Sequence, residues 1–590
     1  MTKEHKFISM RETDLMLLKD LNAKSSRYSI FRVISFVAAI LALAAGYDGR
    51  AYGYILGLLL LAIFIILVRR HNALKMRQLF INAHVATVSD ILTRFSDKWQ
   101  ALADDGSEFF TKERPQDIDL HIFGAASIYQ FLCAARTKLG RANLARSLAV
   151  VPPKKAKIMA RQLAIAELLE HPLLCSELMA RFRLLPLNHD ASGLSQLISS
   201  EKNKNLPLIY RAMFILPLIT IISLLLAVFN MVNPVVPSFM LTVQFVLTLV
   251  SLANHAKILA PLGALSKELT QYTEIFSQLE SVDFNSPTLK DLQKKLRTNK
   301  ASDRLRALSA LTTRAGFLRN MFFFVTGGTL LLWSFRCVRD FYNWCAASQN
   351  IAVWLEILAE VEVLLSLSMV GHTRKNYTFP KLSEGAPTIT AKNLSSLLIS
   401  EKNSVANDAD FAAGTNIITG SNMSGKTTYM RTLAASAVLA YSGAPVPASE
   451  FSLSPLYIFT SIQVNDDLSR GISTFYAELL RIKKMVEFSK NKMPMLILID
   501  EIFKGTNSAD RIVGATETIK RLTLPHTIVL VTTHDFELCD LKSPNNLPIA
   551  NFHFEEYYEN DKIKFDYKIK NGRCHTTNAK YLLKMAGIIS

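Results

Sequence analysis

From Ala212 to Asn254 the chain runs without one charged side chain. Such a run can escape water only inside a protein or inside a bilayer, and in hydrocarbon its backbone must be helical to satisfy every peptide group. It breaks once, at NMVNPVVPS, where Asn230, Asn233, Pro234 and Pro237 spell a turn. Val33 to Val68 has the same form, divided at Asp48–Arg50 into two apolar runs. The second of these, Ala51 to Val68, would measure about 27 Å as a helix, close to a hydrocarbon core. The flanks are basic: Arg27 and Arg32 before, Arg69, Arg70, Lys75 and Arg77 after; then Lys202, Lys204 and Arg211 before the second place, His255, Lys257 and Lys267 after it. The turns hold almost no Lys or Arg. Because positive residues stay on the cytoplasmic side, the pattern predicts two transmembrane hairpins, about 31–68 and 212–254. The protein would be multi-pass, with both termini cytoplasmic. A pair of buried hairpins in a large helical protein is the alternative.

The rest of the chain divides by rhythm. Lys112–Arg183 and Ser266–Arg319 mix Leu, Ala and Ile with Arg, Lys and Glu at helical spacing. Met321–Phe335 is apolar but short, contains Gly327 and Gly328, and has Arg319, Arg336 and Arg339 at its ends, so a buried helix is expected. Val353–Val370 carries Glu356, Glu360 and Glu362, which argues for burial in protein rather than lipid. After Pro380, strand-like runs at Ile417–Thr419, Leu496–Ile499 and Ile528–Thr532 alternate with helical segments. The organisation read from this is an N-terminal hairpin region over 1–110, a helical region with the second hairpin over 111–380, and an α/β domain over 381–590. Six cysteines at no zinc or disulfide spacing read as reduced thiols. A formal charge of +18 suits anionic lipid or nucleic acid and does not choose between them. The first residues, MTKEHKFISMRETDLML, scatter charge where a secretory leader has an apolar core.

The α/β domain carries the chemistry. GSNMSGKT, Gly420–Thr427, fits G-x-x-x-x-G-K-[ST], with TNIIT before it as a strand and TTYMRTLAASAVLA after it as a helix. Glycines let backbone N–H groups turn around phosphate oxygens, and the helix N-terminus adds positive charge. The nucleotide-binding residues expected are therefore Gly420, Ser421, Asn422, Met423, Ser424, Gly425, Lys426, Thr427 and Thr428. Lys426 would reach the β- and γ-phosphates and Thr427 would place its hydroxyl on Mg2+. MLILIDEI, Met495–Ile502, supplies carboxylates past a strand end: Asp500 for Mg2+, Glu501 for the attacking water. IVLVTTHD ends a strand at His534, placed to sense the γ-phosphate.

TGSNMSGKTTYMRT, DDLSRGISTFYAEL, LILIDEIFKGTNSADR and VTTHD occur in that order. Together they resemble the ATPase domain of MutS-type mismatch-repair proteins, within the ABC ATPase superfamily. The resemblance continues upstream in Asp119–Leu148 and RQLAIAEL, and downstream in FDYKIKNGRCHTTNAKYLLKMAGI, so it runs roughly from residue 115 to the end. It implies an α/β ATPase domain on an all-α core and lever, here with two membrane hairpins inserted. It implies ATP with Mg2+ and a homodimer with composite sites, in which Ser473 of one copy contacts the γ-phosphate held by the other. Glu478 lies in the same segment, and Asn507 in a loop running between the two sites. Residues 1–110 leave no room for the mismatch-reading domain, and the second hairpin takes the place of the DNA clamp. The function expected is a membrane-anchored, dimeric MutS-like ATPase that couples ATP to lever and hairpin motion, with lipid and an unidentified protein as partners. The alternative is a membrane-tethered, mismatch-repair-type DNA-binding protein.

Overall fold

The computed structural model describes residues 2–47, 51–111, 113–190, 192–202, 210, 213–347, 351–464, 473–504, 507–542, 546–559 and 562–574. The chain forms two compact units, one of Met1–Ala135, Arg141–Met179 and Glu362–Ser590, the other of Arg136–Gly140 and Ala180–Val361.

The first unit begins with two long antiparallel helices, Lys3–Tyr47 and Ala51–Thr93. Each runs on as one rod well beyond the apolar stretch that predicted it. Asp48–Arg50, the expected turn, lies outside the described residues. The helices meet through small side chains: a Cβ on Gly53 would sit 2.4 Å from the Gly46 nitrogen and 2.7 Å from the Ala42 carbonyl oxygen. Such close approach is how helices associate where no hydrophobic force separates protein from solvent. Large apolar residues point outward instead; Ile55 is 71% exposed and Leu41 66%. Further along, polar side chains tie the rods. Gln78 Nε2 donates to Asn22 Oδ1, and His84 lies 2.6 Å from Asp14 and 2.8 Å from Ser176.

Among the described residues, the α/β part of this unit contains twelve strands. They are β1 (Lys381–Leu382), β2 (Thr388–Leu394), β3 (Asn407–Ala412), β4 (Gly414–Thr419), β5 (Glu450–Leu453) and β6 (Tyr457–Ser461), followed by β7 (Met495–Ile499), β8 (Thr527–Thr532), β9 (Ile549–His553), β10 (Glu556–Glu559), β11 (Lys562–Phe565) and β12 (Lys570–Asn571). The main sheet has the order β12-β9-β4-β8-β7-β6, parallel except where β12 runs antiparallel to β9. Every residue of β4, β7 and β8 is buried, as a sheet covered on both faces requires. The three strand-like runs read from the sequence are these three strands. A smaller sheet, β1-β5-β2-β3, stands beside it.

The second unit holds the helices Ile215–Val228 and Val235–Ala264, joined across the Asn230–Pro234 turn. Their burial is also inside-out. Thr220, Ser223, Gln244 and Thr248 are buried between them, with Gln244 Nε2 donating to Thr220 Oγ1, while Leu218, Ile222 and Val250 face outward. Ala212, where this hairpin was expected to start, lies outside the described residues. Among the described residues, three helices are long and apolar enough to cross a membrane: Lys3–Tyr47, Tyr52–Thr93 and Val235–Gly263; Ile215–Val228 is apolar but shorter. The expected buried helix over Met321–Phe335 is a correction. That stretch is a helical turn at Met321–Phe323 and a π-turn at Phe324–Gly328, bent by 86° before the helix that starts at Trp333. Its leading end is exposed because paired glycines and three phenylalanines do not sustain one amphipathic face. Ile351–Leu367, by contrast, is largely buried with Glu362 inside, as its carboxylates suggested.

Gly53→Leu is expected to force the first hairpin apart, because its Cβ has no space against Gly46. The variant in detergent should melt at least several degrees lower, by about 1–3 kcal/mol for overpacking; an unchanged melting temperature would contradict the close helix contact.

Candidate functional site

The fully buried strand β4 delivers the chain to the loop, and the helix Lys426–Ser442 carries it away. Gly420 has φ +139° and Gly425 φ +108°, and Met423 between them takes φ +69°. A Cβ on Gly420 would lie 2.4 Å from the Phe554 carbonyl oxygen, so only glycine fits there. Lys426 is 5% exposed and its ammonium donates to the carbonyls of Gly420 (2.6 Å) and Ser421 (2.9 Å). Burial pushes its pKa down, partly offset by Glu501 and Asp500. The Ser424 hydroxyl is buried inside the loop with no protein partner. The loop therefore holds a positive charge and an unmet polar group, which suits an incoming phosphate.

Neighbouring strand ends bring the acids to the same place. Thr427 Oγ1 donates to Asp500, at 2.9 and 3.0 Å from its two oxygens, and Thr532 Oγ1 donates to Asp500 Oδ1 at 2.6 Å. A threonine hydroxyl facing a carboxylate is an all-oxygen pair that fits a Mg2+. Thr532 also accepts the Glu501 amide at 2.8 Å, so one hydroxyl holds the Asp500 carboxylate and the Glu501 backbone; this residue was not singled out by motif. Glu501 sits at φ +49°, a strained backbone of the kind found at functional sites. Burial pushes its carboxyl up, but Lys504 at 2.6 Å and His534 outweigh it, and the net shift is below the usual range. Glu501 is thus an ionised carboxylate near neutral pH. His534 Nε2 lies 3.0 Å from Asn422 Oδ1 and 3.3 Å from Glu501 Oε1, linking loop and acid. Arg511 holds Asp535 through two 2.7 Å bonds and so steadies the turn after His534.

The structure thus gathers the loop from Gly420 to Thr428 with Asp500, Glu501 and His534. Beside them lies a cavity of about 410 Å³, whose far wall includes Val405, Asn407, Phe554 and Tyr567. Asn407 Nδ2 donates to the Tyr567 carbonyl at 2.8 Å, fixing that wall. No motif spacing marks these four, because Asn407 opens β3 while Val405, Phe554 and Tyr567 lie in three separate connections between strands.

Ser473 stands apart: it is exposed, caps the helix Thr474–Ser489 by accepting from the Tyr476 amide, and does not line this cavity. Asn507 caps the helix Ser508–Leu522, accepting from the Asp510 amide. Residues 465–472, 505–506 and 575–590, which include parts of the segments quoted for the resemblance, lie outside the described residues.

Asp119, read in the sequence only as the start of a helical segment, has a larger part. It is fully buried and accepts from Thr460 Oγ1, the amides of Ile462 and Gln463, and Arg481 Nη1. It joins the helical region to the edge strand β6 and the helix Thr474–Ser489. Arg374, 2% exposed, makes a similar tie, donating to the carbonyls of Arg94 and Leu397.

Residues 416–589 match the family model of MutS domain V. The C-terminal part of this chain is similar to MutS proteins. It is 30% identical over 260 residues to the DNA mismatch repair protein MutS of Natronomonas pharaonis, a match covering 43% of this chain and 29% of that protein. For MutS of Thermus thermophilus the identity is 32% over 235 residues, 39% of this chain and 28% of the relative. For MutS of Halalkalibacterium halodurans it is 33% over 245 residues, 40% and 27% respectively. The chain thus matches under a third of the length of these MutS relatives.

Glu478, buried in this domain, accepts the Phe503 amide at 2.8 Å. Burial pushes its carboxyl up to about 7, against the pull of that amide and Arg481. Its ordinary value is 4.5. Between those values the folded chain keeps a proton that the unfolded chain has released, so stability falls as pH rises through the window. Glu478→Gln should flatten the melting-temperature profile across about pH 5 to 8 and gain about 1–3 kcal/mol at its upper end. An unaltered slope would contradict a protonated buried carboxyl.

Proposed function

We propose that the protein is a membrane-anchored ATPase of the MutS type. The observation that carries the reading is the meeting of Thr427 and Asp500 beneath a glycine-framed loop that holds Lys426. In this reading the loop amides and Lys426 bind the β- and γ-phosphates of ATP. Thr427 and Asp500 would hold Mg2+, which neutralises charge on the phosphate oxygens. Glu501, ionised and fixed through Thr532, orients the attacking water and takes up its proton. His534, between Asn422 and Glu501, registers whether the γ-phosphate is present. The cavity wall of Asn407, Phe554 and Tyr567 receives the base.

A homodimer belongs to the same proposal. Ser473 is exposed and outside its own copy's cavity, which supports its hydroxyl and helix N-terminus completing the site of a second copy. ATP would then favour the closed pair and hydrolysis the open one. Anchoring rests on the hairpins, whose polar side chains are turned inward and large apolar ones outward. Lipid is therefore the partner of those surfaces. Motion at the ATP site would pass to the first hairpin's base through Asp119 and Arg374, to a protein partner whose identity stays open.

A second reading is favoured by the net charge of +18 and by the mismatch-repair names of the relatives: a membrane-tethered DNA-binding protein. Phosphate-backbone binding would weaken steeply with salt. Titrating the detergent-solubilised protein with matched and mismatched duplex at several salt concentrations separates the readings; salt-sensitive binding supports the second, and its absence removes it.

Three substitutions test the ATP site. Lys426→Ala should abolish nucleotide binding. Glu501→Gln should keep binding and lower turnover by about 100-fold or more, within the usual range for a lost general base. Ser473→Ala should lower turnover with binding retained; wild-type turnover in that variant would contradict the composite site.

A further inference from the structure

Residues 321–335 carry no ionisable side chain, while Arg319 precedes them and Arg336 and Arg339 follow. Met321 is 74% exposed, Phe322 79% and Val325 45%, an apolar surface that water does not favour. The backbone is irregular here yet satisfies itself. Thr326 Oγ1 donates to the Phe322 carbonyl and Thr329 Oγ1 to that of Phe324. The amides of Leu331 and Leu332 find the carbonyls of Gly327 and Thr329. Internal satisfaction of this kind is what hydrocarbon demands of a broken helix.

Its neighbours give its depth. Val325, Gly327 and Leu330 share an apolar cleft with Leu224, Leu241 and Phe245 of the second hairpin. Leu224 lies about 14 Å along its helix from Ile215, near the middle of a bilayer-length rise. The guanidinium groups of Arg336 and Arg339 lie 4.6 and 3.9 Å from the ring centre of Phe214, at the base of the same helix. Apolar tip thus meets mid-hairpin and cations meet the hairpin's foot. Phe323 packs edge-on to Trp333 at 5.6 Å, and the Trp333 indole donates to the Arg314 carbonyl, an aromatic pair at the level where such rings anchor to an interface.

We propose that residues 321–332 form a re-entrant membrane element that dips beside the second hairpin and returns to the side it entered from. This rests on the membrane reading of that hairpin. As a straight helix the fifteen uncharged residues would reach only about 22 Å, short of a hydrocarbon core, and the 86° bend shortens that reach further. Cations at both ends place both ends on the same face, which leaves the ATPase domain on the side of the N-terminus. The cleft receives a lipid acyl chain: the hydroxyls of Thr242, Thr326 and Thr329 along it are all engaged within their own helices, so it offers hydrocarbon alone.

The test uses full-length protein in vesicles containing brominated lipid, with a fluorophore on a single introduced cysteine: Val325→Cys, Leu218→Cys in the hairpin, or Lys294→Cys on an exposed helix. Unsubstituted protein, whose native cysteines are mostly buried, provides the blank. Emission at 325 should be quenched to within about a factor of two of that at 218, and far more than at 294, as two sites in hydrocarbon require. Quenching at 218 with none at 325 would overturn the re-entrant element alone. No quenching at either would overturn the membrane reading beneath it as well. Phe322→Cys serves as a second probe should Val325→Cys not fold.

Discussion

Large apolar side chains on the outside of paired helices cannot stay in water. Each Leu or Ile left exposed forgoes about 1.5–3 kcal/mol that burial would return. In this chain two hairpins turn them out together, with glycine, serine, threonine and glutamine turned in. Everything else is arranged around that constraint. In the proposed membrane reading the basic flanks set which face each hairpin enters from, and the broken segment at 321–332 keeps to its own face by bending.

The proposed ATP site depends on a short chain of hydroxyls. Thr532 fixes Asp500 and Glu501 together, and Thr427 closes on Asp500 from the helix that begins at Lys426. These groups come from three neighbouring parallel strands, β4, β7 and β8, so their spacing follows from the sheet's register rather than from any loop's flexibility. Asp119 then makes the sheet's edge part of the helical region, since a buried carboxylate with four donors is strongly destabilised if one element moves without the other.

Much of this was legible in the sequence because it is local. The loop glycines, Lys426 and Thr427 lie within one strand–turn–helix, and Asp500 and Glu501 directly follow an apolar run. The apolar runs predicted hairpins because charge is absent over whole helical lengths. What was not legible is what depends on pairing across distance. The sequence treated Ala212–Asn254 as uniformly greasy, and only the packed helices show Gln244 meeting Thr220. Asp119 looks like an ordinary helix acid until β6 is placed against it. The cavity wall of Asn407, Phe554 and Tyr567 is assembled from one strand start and two connecting segments far apart in the chain. Met321–Phe335 was misjudged because shortness and arginines were weighed, while the bend that glycine and π-turn permit was not.

A chain that both grips ATP and sits in lipid must carry nucleotide wherever its lipid goes. Flotation of the full chain with liposomes in a density gradient, at high salt and with a fluorescent ATP analogue and Mg2+, tests both at once. Protein and nucleotide should rise together in the lipid fraction, and the protein should remain there after an alkaline wash. Protein left soluble at the bottom of the gradient, or floating lipid-bound protein that carries no nucleotide, would contradict it.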